Sequence, residues 1–181
     1  MRSDYLRVSV EREKLLSDTK ASTRIAAAVD DLVISESVAA VLERELANII
    51  KDWLARVQQN PELTCIPLSF EDRTGHLPRL LHDVIARLRL DSGTKAPVSA
   101  AAAEHGDLRY KQGYSVAMAV EESRLLQVTI FTTLHKNVKH LEFDLLLPDI
   151  VTIADEVDAQ LKQQMMRFMA AEEARVASKK R

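Results

Sequence analysis

Between positions 38 and 57, Val38, Leu42, Leu46, Ile49, Trp53 and Val57 return at steps of three and four with polar residues between them, the period of one helical face. Ser35 or Ser37 stands where a side-chain oxygen can cap the first turn, and Pro61 forbids continuation past about Asn60. Glu62 to Gly75 reads as a connection, because Pro67 and the polar run at 72–75 interrupt the period. A second stripe, Leu77, Leu81, Val84 and Leu88, widened by Leu80 and Ile85, predicts a helix that accepts Pro78 in its first turn. Asp91, Ser92 and Gly93 end it. Pro97 opens the next helix, which runs through the alanines at 100–103 to about Gln112, where Gly113 supplies the turn.

From Ser115 to about Leu141 the pattern predicts one helix of about seven turns carrying Val116, Val120, Leu126, Ile130, Leu134 and Leu141. Leu125, Val128 and Phe131 add apolar character on neighbouring faces, so this helix is expected to be central. Pro148 starts the last helix, with Ile150, Ile153, Val157, Leu161, Met165 and Phe168 in its stripe. The expected architecture is all-α: a single-domain bundle of about five to six helices over 35–175, with a globin-like arrangement as the alternative. Residues 1–34 read as an N-terminal arm, helical or partly disordered, and 176–181 as a basic tail that frays.

Composition agrees. Four glycines and five prolines in 181 residues are too few to punctuate an all-β sandwich or barrel, and 4% aromatic residues argue the same way. A net charge of −2 provides no electrostatic footprint for nucleic acid. No run of 18 apolar residues spans a membrane, no signal peptide opens the chain, and the single cysteine, Cys65, fits a reducing compartment. A cytoplasmic protein is expected, with no nucleic-acid or membrane partner.

Catalytic signatures are missing from the sequence. It contains no glycine-rich phosphate loop, no G-x-S-x-G elbow and no H-E-x-x-H, and no Glu has a His three residues later as a carboxylate-bridged di-iron bundle needs. His135 and His140, five apart, point about 140° away from one another on a regular helix and cannot clasp one metal. No catalytic residue, metal or cofactor is therefore expected.

His105 has more informative neighbours. His105 and Arg109, four apart, project from one helical face, and Gly113 lies a further turn on. The helices on either side of Gly113 are expected to pack as an antiparallel hairpin, which carries Glu121 or Glu122 somewhat beyond the level of Arg109 and closer to that of His105. A carboxylate, a guanidinium and an imidazole then meet between two helices. The plainer reading is an ordinary interhelical ion pair of Arg109 with Glu122, with one hydrogen bond from His105. Trp53, in its apolar stripe, reads as core.

The run Glu104-His105-Gly106-Asp107-Leu108-Arg109-Tyr110-Lys111-Gln112-Gly113-Tyr114-Ser115, followed by Glu121-Glu122-Ser123-Arg124-Leu125-Leu126, resembles the N-terminal domain of the RsbT co-antagonist RsbRD family. That family's pattern has a His and an Arg four apart, a Gly four later, and a Glu ahead of a Leu-Arg pair on the next helix. His105, Arg109, Gly113 and Glu122 match it; Gln127 stands at the position of the family's second Arg. The similarity covers roughly Val38 to Met169. It implies a sensory or interaction unit in stress-response signalling, homo-oligomeric, with a signalling kinase or an anti-sigma-antagonist-type protein as partner. No output domain follows in the sequence, so such a unit is expected to act alone, in trans or within a larger assembly. The candidate signalling cluster is His105, Arg109, Gly113, Glu121 and Glu122. Ligand sensing on a globin-like fold and phosphotransfer through His105 or His135 are the other classes considered. For the latter, neither Gly106-Asp107-Leu108 nor Lys136-Asn137-Val138 reproduces a His-x-Leu-Lys-Gly pattern.

Overall fold

The computed structural model describes residues 36–90, 94 and 98–179, so the expected arm at 1–34 and the last two residues of the expected tail lie outside the described residues. The elements are α1 (Val38–Arg44), α2 (Leu46–Gln58), α3 (Pro61–Thr64), α4 (Phe70–Thr74), α5 (Leu77–Leu88), α6 (Ala100–Lys111), α7 (Val116–Lys136) and α8 (Phe143–Lys179). A 3-10 turn, Val138–His140, joins α7 to α8. Among the described residues the fold is an all-α helical bundle without strands, with more segments than the expected five or six.

The additional segments come from two places. The stripe from Val38 to Val57 is divided at Glu45, whose backbone (φ −90°, ψ 3°) leaves the helical region although Glu45 and Ile49 still donate to the carbonyls four residues back. Ser37, not Ser35, is the cap, accepting from the Ala40 N–H at 3.2 Å. The expected connection at 62–75 contains two short helices, each started by a side-chain cap. Asn60 accepts from the Glu62 and Leu63 N–H groups ahead of Pro61, and Ser69 accepts from Asp72.

Boundaries further along also differ from expectation. Ser99 caps α6, accepting from Ala102 at 3.0 Å, in place of a start at Pro97. Helix α7 stops at Lys136, and Leu141 forms a bridge with Glu36. Val116 and Val120 are exposed; the buried face of α7 is Met118, Ala119, Glu122, Leu125, Leu126, Thr129, Ile130, Thr133 and Leu134. At about 100° per residue Val120 lies about 120° round from Leu126, so one stripe cannot hold both. Helix α8 starts at Phe143 and takes Pro148 inside. The proline deprives only the Asp144 carbonyl of its helical partner, and Asp144 is exposed, so water can serve it. The helix then continues to Lys179, through most of the tail expected to fray.

The main core is built by α1, α2, α5, α7 and α8 around Trp53, Leu42, Ile49, Leu77, Leu81, Ile130 and Ile153. Helix α6 is different. It packs chiefly along α8 and not, as the expected hairpin requires, along α7. Its buried face is Ala101, Ala102, His105, Gly106 and Arg109, and a β-carbon at Gly106 would lie 2.3 Å from the Gln164 carbonyl oxygen. Only glycine allows that approach to α8 backbone. Closeness to α8 leaves a gap towards α7 that long side chains from α6 must span.

Two glycine substitutions separate these constraints. Gly106→Ala is expected to lower the unfolding free energy by about 3 kcal/mol or more, because backbone must move. Gly113→Ala meets open space and strains only a left-handed backbone at φ 84°, about 1–2 kcal/mol. Urea denaturation of both variants checks the order; a neutral Gly106→Ala would contradict the close α6–α8 contact.

Candidate functional site

The turn after α6 sets the site. Gly113 takes the left-handed conformation, its N–H donates to the Tyr110 carbonyl at 3.0 Å and the Tyr114 N–H to the Arg109 carbonyl at 3.0 Å. These two bonds form a Schellman cap. Tyr114 thereby enters the core, and Ser115 caps α7 by accepting from Met118 at 3.1 Å.

Arg109 and Glu122 meet across the gap between α6 and α7. Arg109 is 0% exposed and Glu122 3%. Arg109 Nε donates to Glu122 Oε2 at 2.8 Å and Nη2 to Oε1 at 3.1 Å, a two-pronged pair. Nη1 donates to the Asp72 carbonyl at 3.0 Å and to Gln112 Oε1 at 2.7 Å, and Nη2 also to the Arg73 carbonyl at 3.1 Å. A guanidinium has five N–H donors, and every one is used. The Asp72 and Arg73 carbonyls belong to the last turn of α4, where helical partners run out. Arg109 therefore ties α4, α6 and α7 together.

The carboxylate is surrounded. Tyr114 Oη donates to Glu122 Oε1 at 2.7 Å and accepts from Arg73 Nη1 at 3.1 Å. Arg73 also donates to the Leu63 and Ile66 carbonyls, anchoring the segment between α3 and α4. The Arg109 guanidinium carbon lies 4.7 Å from the Tyr114 ring centroid. The Trp53 indole N–H donates to the Glu122 carbonyl at 3.2 Å, so Trp53 is core and tether at once.

His105 Nε2 stands 3.6 Å from Glu122 Oε2, beyond ordinary hydrogen-bond length, a contact that becomes ionic only when His105 is protonated. Its ring stacks on that of His76, with centroids 3.7 Å apart and planes 13° from parallel. Trp53 meets His76 edge-on at 6.1 Å. The Nδ1 atoms of both histidines are buried without a hydrogen-bond partner. Burial holds His76 well below the ordinary histidine range, reinforced by His105 and Arg109. Burial also lowers His105, opposed by Glu122. For Glu122 burial opposes the charge, but His105 and Arg109 outweigh it and hold the carboxyl below its ordinary range. Two imidazolium rings at this spacing would repel by about 4 kcal/mol at an effective dielectric constant of about 20.

Of the five residues expected to cluster, His105, Arg109 and Glu122 do so. Gly113 shapes the turn and has nothing within 4 Å of where a side chain would start. Glu121 turns away, held by Arg124 at 2.7 Å and by Asn60 at 3.1 Å. Successive helical positions point about 100° apart, so only one of the two glutamates can face α6. His76, Arg73, Tyr114 and the α4 carbonyls were not foreseen. The other histidines, His82, His135 and His140, are exposed.

Acid should weaken the fold through this cluster. An unfolded histidine takes a proton near pH 6.5, whereas His76 and His105 in the fold take theirs at lower pH. Between those limits the unfolded state binds more protons, so stability is full above about pH 6.5 and falls as the pH drops below it. Glu122, held down in the fold, adds stability that is present above its ordinary value and lost as the pH falls through its folded one. Thermal melts across pH 8 to 4 are expected to be flat at first and then decline below about pH 6.5. A stability maximum near pH 5 would contradict the buried neutral pair.

Compared with protein-family models, with curated proteins and with solved structures, the chain matches none, so its function is argued from the geometry of this cluster.

Proposed function

We propose that the chain is a non-enzymatic, cytoplasmic regulatory domain of a signal-transduction or stress-response system that works by protein–protein contact, self-association included. The observation that carries the reading is Arg109, wholly buried with all five donors engaged by α4, α6 and α7. A group so engaged attacks nothing and binds no substrate; it couples helices. A polar network of this kind has few good arrangements, so a shift in one helix is passed to the others as a change of hydrogen-bond partners.

The resemblance to the RsbRD N-terminal domain adds support, since three of the four residues that carry it, His105, Arg109 and Glu122, meet at this junction and the fourth, Gly113, shapes the turn that follows α6. A phospho-accepting histidine needs access from solvent, and His105 is 4% exposed. On this reading a partner, whether a second copy, a kinase or an anti-sigma-antagonist-type protein, binds an outer helical face whose position the junction sets.

Light scattering on the full chain, with Tyr114→Phe as the mildest change to the junction, tests the coupling. Self-association is expected, with a dissociation constant that moves in the variant although Tyr114 is buried and cannot touch a partner. A chain that stays monomeric at its highest soluble concentration would contradict the self-association. Hydrolysis or group transfer in a broad activity screen, abolished by His105→Ala, would overturn the non-enzymatic reading.

A further inference from the structure

We infer that the stacked pair His76–His105 is a binding site for a single proton, taken by His105, and that this proton is the signal the junction reads; the second half of the inference rests on the regulatory reading above. Three observations meet here. The cavity lined by His76, His105, Gln160, Gln164 and Trp53 offers only about 20 Å³, room for about one water. Both Nδ1 atoms are buried and unpartnered, so each neutral ring keeps a nitrogen that no protein donor occupies. A surface pocket of about 260 Å³ has both rings in its wall and brings solvent up to the pair.

The surroundings decide which ring is charged and how many protons enter. The charged groups facing the pair are Glu71 and Asp72 from α4, Arg79 from α5, Glu104 and Arg109 from α6 and Glu122 from α7; helix α8 presents the neutral amides of Gln160 and Gln164. Of the carboxylates, Glu122 touches a ring, that of His105 at 3.6 Å. His76 instead occupies the N-cap position of α5, where the helix dipole opposes a positive charge. The first proton therefore goes to His105, and the 3.7 Å stack keeps a second off His76.

Protonation leaves Glu122 Oε2 shared between two cations of α6, the His105 imidazolium and the Arg109 guanidinium. Since Oε2 is one prong of the pair and Arg109 also holds the α4 carbonyls, drawing Glu122 towards His105 changes the tie among all three helices. No bond is made or broken other than N–H at His105, and the proton comes from solvent through the surface pocket.

Trp53 is the only tryptophan in the chain and lies edge-on to His76, so its emission reports the pair directly. The experiment titrates the full chain from pH 8 to 4.5, following Trp53 fluorescence, far-ultraviolet circular dichroism and the histidine Cε1–H resonances. The expected result is a one-proton change of emission below about pH 6.5 with helicity intact. The His105 resonance should move with it, and His76 should stay neutral throughout that step. His105→Gln should abolish the transition and His82→Gln leave it unchanged; if His105→Gln does not fold, the wild-type resonances decide alone. Flat emission over a native fold, a transition that coincides with loss of helicity, or two rings titrating independently at ordinary values would each overturn the site. A flat titration would leave the self-association result standing, and a monomeric chain would leave the titration standing, so the two failures are distinguishable.

Discussion

A guanidinium cannot shed its charge, and inside a protein it must find an acceptor for each of its five donors. Arg109 lies wholly buried, and the surrounding chain is arranged as that requirement dictates. Two acceptors come from Glu122 on α7, two from the end of α4 and one from Gln112 in its own terminal turn. Glu122 in turn orients Tyr114, which receives Arg73, which secures the irregular stretch between α3 and α4. A short helix such as α4 has little stability of its own. Its carbonyls are held in place by a side chain from a helix more than 25 residues away in sequence.

Small residues make this arrangement possible. Ala101, Ala102 and Gly106 let α6 lie on α8, where Glu156, Gln160 and Gln164 line the buried face. Gln160 bonds to Glu156 and to the Leu80 carbonyl, both at 3.1 Å, so these polar groups tie α8 to α5. The bundle thus has two characters. Its larger part, from Leu42 and Ile49 to Ile130 and Ile153, is an ordinary apolar core; α6 lies on α8 through small residues and is joined to α4 and α7 by hydrogen bonds and charge. Apolar packing tolerates exchange of neighbours, whereas a network of directed bonds specifies one arrangement or a few.

Much of this was legible in the sequence. The stripes from Val38 to Val57 and from Leu77 to Leu88 are buried apart from Leu46 and Leu88, which are half-buried against the core, because long amphipathic segments declare their face regardless of neighbours. Spacing brings Arg109 and His105 together with Glu121 or Glu122, although through a hairpin of α6 on α7 that the structure does not form, and it does not choose between the two glutamates. Tertiary constraints account for the rest. Nothing local says that α6 prefers α8 to α7; Gly106 was visible, but its use depends on the Gln164 backbone that it meets. From the sequence Pro148 reads as a start, because the exposure of Asp144, which makes the missing bond tolerable, is not written there. His76 and Arg73 belong to a stretch without periodicity, so no pattern announced that they turn inward.

If Arg109 and Glu122 are the tie on which the junction depends, their contributions must be strongly coupled. A double-mutant cycle with Arg109→Met and Glu122→Leu, read by urea denaturation at pH 8, measures this most directly. Each single change leaves a buried charge unpaired and is expected to lower stability by about 3–5 kcal/mol, while the double change, which leaves neither, lowers it by no more than either one. Single effects below about 1 kcal/mol, or a double effect equal to their sum, would contradict the account.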